Sequence, residues 1–213
     1  MSENAQVIFR DMLKRYPDLE VCGAEIFESG EILVKAALDQ KKILICGNGG
    51  SAADADHITG ELLKSFVKKR PVEKEFAESI VKLDRTVGSD IAAKLQGGVQ
   101  AISLTHHVSL STAFGNDVDP LLVFAQQCYV YGKKGDVFWG ISTSGNAENV
   151  CRAALVAKAK GLKLIGMTGK DGGKLKQICD VCICVPRRET YEVQELHLPV
   201  YHALCLYVEE CVW

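Results

Sequence analysis

The sequence predicts an α/β fold, a parallel sheet covered by helices on both faces. Three observations predict it. Five apolar runs, at 43–46, 99–105, 136–141, 162–168 and 181–185, alternate with segments of helical periodicity. The first run, Ile43 to Cys46, is apolar throughout, as a buried strand is. Turns at 47–51, 142–146 and 168–173, rich in glycine and hydroxyl groups, follow three of the runs, where the functional loops of such sheets gather.

A length of 213 residues suits one domain, 1–213, with a substantial core. Apolar residues make up 47% and charged residues 24%, the balance of an ordinary globular protein. The net charge of −2 and the lack of a basic stripe argue against nucleic acid; Lys68-Lys69-Arg70 and Lys133-Lys134 read as solvated surface. No signal pattern opens the chain and no apolar run reaches membrane length, so a cytoplasmic protein without a membrane partner is expected. The nine cysteines then read as reduced thiols.

Taken in order, residues 3–15 carry Val7, Ile8, Met12 and Leu13 in a helical rhythm that Pro17 interrupts. Residues 21–39 give a longer helix through Ile26, Leu33 and Ala36. These helices of the N-terminal segment 1–40 have no sheet partner of their own, and are expected to pack on another subunit or over the sheet. After the first strand and the turn Gly47 to Gly50, a small-residue helix starts at Ser51. Residues 64–98 are charged and helix-prone; Pro71 and Gly88 divide them into two helical pieces, and Gly97-Gly98 ends them. The second strand leads to a short helix, 109–115, and to Asn116-Asp117. Asp119-Pro120 opens a helix that runs to near Tyr131, with proline early in its first turn. The third strand, the turn 142–146 and a helix at 147–160 capped by Gly161 follow. The fourth strand, the loop 169–173, a short helix to Cys179, the fifth strand and the loop 186–191 lead to a last helix, 192 to near 210.

The chemistry gathers in few places. A strand, a glycine turn and a helix start make an anion pocket, because the first helical N–H groups point unpaired at the turn. His57 and Glu61, spaced i, i+4, put an imidazole and a carboxylate on one helix face beside it. Ser142, Thr143 and Ser144 add hydroxyls and N–H groups ahead of a second helix. No lysine follows in the spacing of a nucleotide P-loop, and Gly47-Asn-Gly-Gly50 lacks the dinucleotide spacing. A hydroxyl-rich turn at a helix start suits a single phosphate monoester. The last helix carries Gln194, Glu195, His197 and His202; Gln194 and His202 lie roughly on one face, with Pro199 between them able to disturb the helix. Should they meet His57 and Glu61, two imidazoles, a carboxylate and an amide oxygen make a zinc site. Equally, Glu61 and His202 make an acid/base pair. Cys179, Cys182 and Cys184 lack a second cysteine pair at metal-site spacing and read as buried thiols.

Four motifs, Cys46-Gly-Asn-Gly-Gly-Ser-Ala-Ala-Asp-Ala-Asp-His57, Gly140-Ile-Ser-Thr-Ser-Gly-Asn146, Met167-Thr-Gly-Lys-Asp-Gly-Gly173 and Gln194-Glu-Leu-His197 with His202, resemble the phosphoheptose isomerases of the SIS (sugar isomerase) domain superfamily. The resemblance spans nearly the whole chain in the same order. It implies a flavodoxin-like five-stranded sheet, a homotetramer with active sites between subunits, and isomerisation of sedoheptulose 7-phosphate in the nucleotide-heptose route to lipopolysaccharide or another surface glycan. It implies one zinc per subunit on His57, Glu61, Gln194 and His202, with Glu61 and His202 also the acid/base pair. Substrate contacts implied are Asn48, Gly49, Gly50, Ser51, Glu61, Asn116, Asp117, Ser142, Thr143, Ser144 and Gln194. Two departures stand out: Ala147 takes the place of a phosphate-binding serine, and 64–98 is a helical insertion that lengthens the path from Glu61 to Asn116. Another phosphosugar isomerase or sensor, and a non-catalytic regulator that binds the replication initiator, are the competing readings. Regulators of that kind lose the acid/base residues, which this chain keeps.

Overall fold

The computed structural model describes residues 3–213. Strands β1 (Ile43–Cys46), β2 (Ala101–Ser103), β3 (Val137–Ile141), β4 (Lys163–Thr168) and β5 (Val181–Cys184) form one sheet in the order β2-β1-β3-β4-β5. Every pairing is parallel. This is the flavodoxin-like order, in which the chain builds one way from β1 and then the other way from β3. A crevice opens at the carboxyl ends of β1 and β3, where the direction switches.

Helices follow in sequence as α1 (Glu3–Arg15), α2 (Gly23–Leu38), α3 (Gly50–Leu63), α4 (Lys74–Leu83), α5 (Arg85–Lys94), α6 (Val108–Asp117), α7 (Val123–Tyr131), α8 (Glu148–Ala159), α9 (Gly173–Ile178) and α10 (Thr190–Val212). Successive strand side chains point to opposite faces. Ile43, Ile45, Trp139, Ile141, Ile165 and Met167 enter one core, with Ile26 and Leu33 of α2, Ile58 of α3 and Leu204 of α10. Leu44, Cys46, Phe138 and Leu164 enter a second core, against Phe124 of α7, Ala153 of α8 and Leu175 of α9. Burial on both faces is why these strands are apolar nearly throughout.

Of the N-terminal helices, α2 covers the sheet of its own chain and α1 packs on α10 and α2. Phe9 of α1, Phe27 of α2 and Tyr207 of α10 meet ring to ring, with centroids 4.6 to 6.1 Å apart. Between α1 and α2, Pro17–Cys22 forms a single 3-10 segment.

Several elements differ from their sequence reading. Gly88 does not divide 64–98; α4 ends at Leu83, and Asp84 starts α5 by accepting the N–H groups of Thr86 and Val87 at 2.9 and 2.8 Å. Gly88 sits buried in the first turns of α5, where a Cβ would strike the backbone of Ile80. The α4–α5 hairpin closes at its neck through a bridge between Pro71 and Gln96. The strand read at 99–105 is regular only over 101–103, and Asn116 and Asp117 are the last residues of α6. Pro199 leaves α10 unbroken and is itself buried. Arg70, read as solvated, is 1% exposed.

Candidate active site

The crevice between β1 and β3 is built by two turns that meet. Gly49 adopts φ +56°, a conformation suited to glycine, and turns the chain from β1 into α3. No side chain caps α3, so its start faces the crevice. Opposite stands the turn after β3. The Ser142 hydroxyl oxygen accepts the Ala147 N–H at 3.3 Å, and that of Ser144 accepts the Asn146 N–H at 3.1 Å. Each hydroxyl therefore still has its own proton to donate. Asn48 and Asn149 exchange two amide hydrogen bonds of 2.9 Å across the mouth and tie the turns together. Asn48, Gly49, Gly50, Ser51, Ser142, Thr143, Ser144, Ala147, Thr190 and Gln194 line a cavity of about 310 Å³ there.

Helices α3 and α10 run side by side in the same direction. Gly50 lies against Gln194, His57 against Tyr201, and Phe66, just beyond α3, receives the Glu209 carboxylate. Along this seam a second group of polar residues assembles. The His57 Nδ1 pairs with the Tyr201 hydroxyl at 3.0 Å, and its Nε2 lies 3.3 Å from a Glu61 carboxylate oxygen. The other Glu61 oxygen accepts from Lys64 at 3.1 Å. The ring of His202 crosses that of His57 edge to face at 5.0 Å. His202 Nε2 is buried with no hydrogen-bond partner.

Burial is the largest cause that holds the His202 imidazole below its ordinary pKa; His57 adds to this and Glu61 opposes it. Burial also pushes the Asp54 carboxyl up to about 6, against a hydrogen bond from Tyr201 and the charge of His57. His197 faces away from this group, with Nε2 at 3.3 Å from the Thr168 carbonyl, and burial lowers its pKa to about 4. A histidine with a depressed folded pKa stays neutral while the unfolded chain takes up a proton, so stability is lost as pH falls from about 6.5 toward 4. In the parent, the drop in unfolding free energy from pH 7 to pH 5 is expected to exceed that of His197→Gln by about 2 kcal/mol, read by urea denaturation. Equal drops in the two proteins would remove His197 as the cause.

The structure thus gathers Asn48, Gly49, Gly50, Ser51, Ser142, Thr143, Ser144 and Gln194 in one cavity, and His57, Glu61 and His202 in a second group beside it. Asn116 and Asp117 are not among the residues lining that cavity; they are exposed at the end of α6 and bond each other at 2.9 Å. Gln194 packs on Gly50, about 12 Å along α10 from His202. Three residues escaped the sequence reading. Tyr201, next to His202, bonds the imidazole of His57, and Asp54, three before His57, bonds Tyr201 in turn; their spacing within the motifs was the available signal. Asn149 carried none.

Among the described residues, no group of three or more His, Cys, Asp or Glu side chains stands ready to hold a metal. The donor chemistry nevertheless fits zinc. The Nε2 of His202 is orphaned, and Tyr201 engages the other nitrogen of His57, as outer partners of metal-ligating histidines do.

A family model described as the SIS domain matches residues 91–169. The phosphoheptose isomerase of a Nitratiruptor species is 42% identical over 185 residues, covering 87% of this chain and 85% of the relative. That of Aneurinibacillus thermoaerophilus is 35% identical over 203 residues, covering 95% and 84%. The solved structure of the phosphoheptose isomerase from Neisseria gonorrhoeae superimposes with a TM-score of 0.74 at 30% identity, covering 98% of each chain.

Proposed function

The chain belongs to the phosphoheptose isomerase family, and from that premise we propose that it converts sedoheptulose 7-phosphate to D-glycero-D-manno-heptose 7-phosphate through an enediol. The observation that carries the reading is the pairing of a hydroxyl-lined anion cavity with the Glu61–His202 group on one helix pair. The start of α3 and the hydroxyls of Ser142, Thr143 and Ser144 hold the phosphate. Glu61 takes the proton from C1 of the open-chain ketose, and the enediol is reprotonated at C2. His202, kept neutral by burial, moves a proton between O1 and O2. His57, held by Tyr201, keeps the Glu61 carboxylate in place.

His57, Glu61, Gln194 and His202 would hold one zinc per subunit. When bound, the metal supplies polarisation of the sugar oxygens. The proposal includes a homotetramer with sites shared between neighbouring subunits, in which Asn116 and Asp117 of one subunit, exposed and outside the cavity lining of their own, would serve another. Nine unpaired thiols support work in the reducing cytoplasm, and no helix among the described residues is long and apolar enough to cross a membrane. The product begins nucleotide-activated heptose synthesis and feeds lipopolysaccharide or another surface glycan.

Purified protein incubated with sedoheptulose 7-phosphate is expected to form the aldoheptose 7-phosphate. Chelator treatment should lower the rate at least about tenfold, restored by zinc. No aldoheptose phosphate alongside turnover of a different ketose phosphate would sink the substrate assignment. A rate indifferent to chelator would sink the zinc.

A further inference from the structure

Just past the end of α3 lies a buried ion pair that the isomerase chemistry above does not use. Arg70 and Glu209 are 1% and 0% exposed, and Arg70 Nε donates to Glu209 at 2.7 Å. The Glu209 carboxylate also accepts the backbone N–H groups of Phe66, Val67 and Lys68 at 2.9, 2.9 and 3.1 Å. The guanidinium donates in turn to the carbonyls of Leu62 at 3.1 Å and Glu61 at 3.4 Å, and the Trp213 ring covers it at 4.6 Å. The last carbonyls of a helix have no partner within it. Here Arg70 supplies a partner to the Glu61 carbonyl and shares that of Leu62 with the Val99 N–H, which donates to it at 2.8 Å.

We propose that Arg70 and Glu209 are positioning residues that fix both members of the acid/base pair, Glu61 through its own backbone carbonyl and His202 through the ring of Phe66. The Phe66 ring lies 5.6 Å from that of His202, tilted by 57°, and its backbone N–H is held by Glu209. One buried pair therefore reaches Glu61 from the α3 side and His202 from the α10 side. A pair of this kind contributes little net stability compared with apolar residues of the same volume. What it supplies is one fixed arrangement of the groups around it. The anion cavity, a full helix length away at the start of α3, makes no contact with the pair.

This inference rests on the isomerase reading for its kinetic consequence, so its test has a second readout. Arg70→Lys keeps the charge and loses the fork to the carbonyls; Glu209→Gln keeps the size and loses the charge. In each, kcat is expected to fall roughly 10- to 100-fold while KM stays within about twofold. The double variant Arg70→Met with Glu209→Gln should be no worse than the singles, since the two act as a unit. In histidine-labelled protein, the NMR ring signals of His57 and His202 should shift while those of His106, His107 and His197 stay.

Phe66→Leu leaves the ion pair intact and should lower kcat with only a modest drop in melting temperature from lost packing; it decides the matter if an ion-pair variant does not fold. Folded variants with parental kcat and unmoved His57 and His202 signals would overturn the proposal. So would a joint shift of all five histidines together with a raised KM, which marks general loosening. If the parent does not isomerise sedoheptulose 7-phosphate, the function fails and the histidine signals alone decide the positioning.

Discussion

Glu61→Gln is expected to lower kcat by about 10³-fold with KM changed less than about threefold. The amide keeps the size of the side chain and one acceptor oxygen for His57 or Lys64, which lie at 3.3 and 3.1 Å, and loses the charge. It cannot accept the C1 proton. The side chain is 13% exposed, so bulk water is poorly placed to act instead. In deuterated water the parent should place deuterium at C2 of the aldose, because Glu61 exchanges its proton before returning it. The variant should lose incorporation and turnover together. If turnover stays within tenfold of the parent, another group is the base.

Gly50→Ala is expected to reduce kcat/KM by roughly 100-fold with little change in melting temperature. Gly50 opens α3 without a positive φ, so alanine suits its backbone. A Cβ there would lie 2.8 Å from Cδ and 2.9 Å from Oε1 of Gln194. Both atoms belong to the free end of a flexible side chain, which can swing away without unfolding anything. What is lost is the position of the Gln194 carboxamide and the space of one methyl group in a cavity of about 310 Å³. Adding Gln194→Ala to Gly50→Ala should then cost little more. A large further loss, or a variant with parental kcat/KM, would show that the contact of Gly50 with Gln194 does not shape the site.

Much of this architecture was legible in the chain. The strands were visible because both faces of the sheet are covered, so their apolar runs are nearly unbroken. Two walls of the cavity were visible because they are local: Gly47 to Ser51 and Ser142 to Ser144 are contiguous turns before helices, whereas Thr190 and Gln194 reach it from the remote α10. The pairing of α3 with α10 depended on a family likeness, since no spacing tells which distant helices meet. Arg70 was misread because a charged residue in a basic run looks like surface; its partner, Glu209, is remote in sequence and equally unremarkable. Gly88 looked like a breaker and proved to be a close-packing residue, because glycine signals both and only the neighbour, Ile80, decides. Asn116 and Asp117 carry no burial signal at all.

Gln194 and His202 stand eight positions apart on α10, about 12 Å along an unbroken axis. On the proposed function that length would act as a ruler. A ketose phosphate anchored at the turn beside Gln194 would present its reacting carbons at a depth set by the number of carbons between them and the phosphate. A hexose or pentose phosphate held at the same turn would stop short of Glu61 by one or two carbons. Chain-length selectivity would then need no contact with the missing carbons; it would follow from two helices that run side by side in one direction.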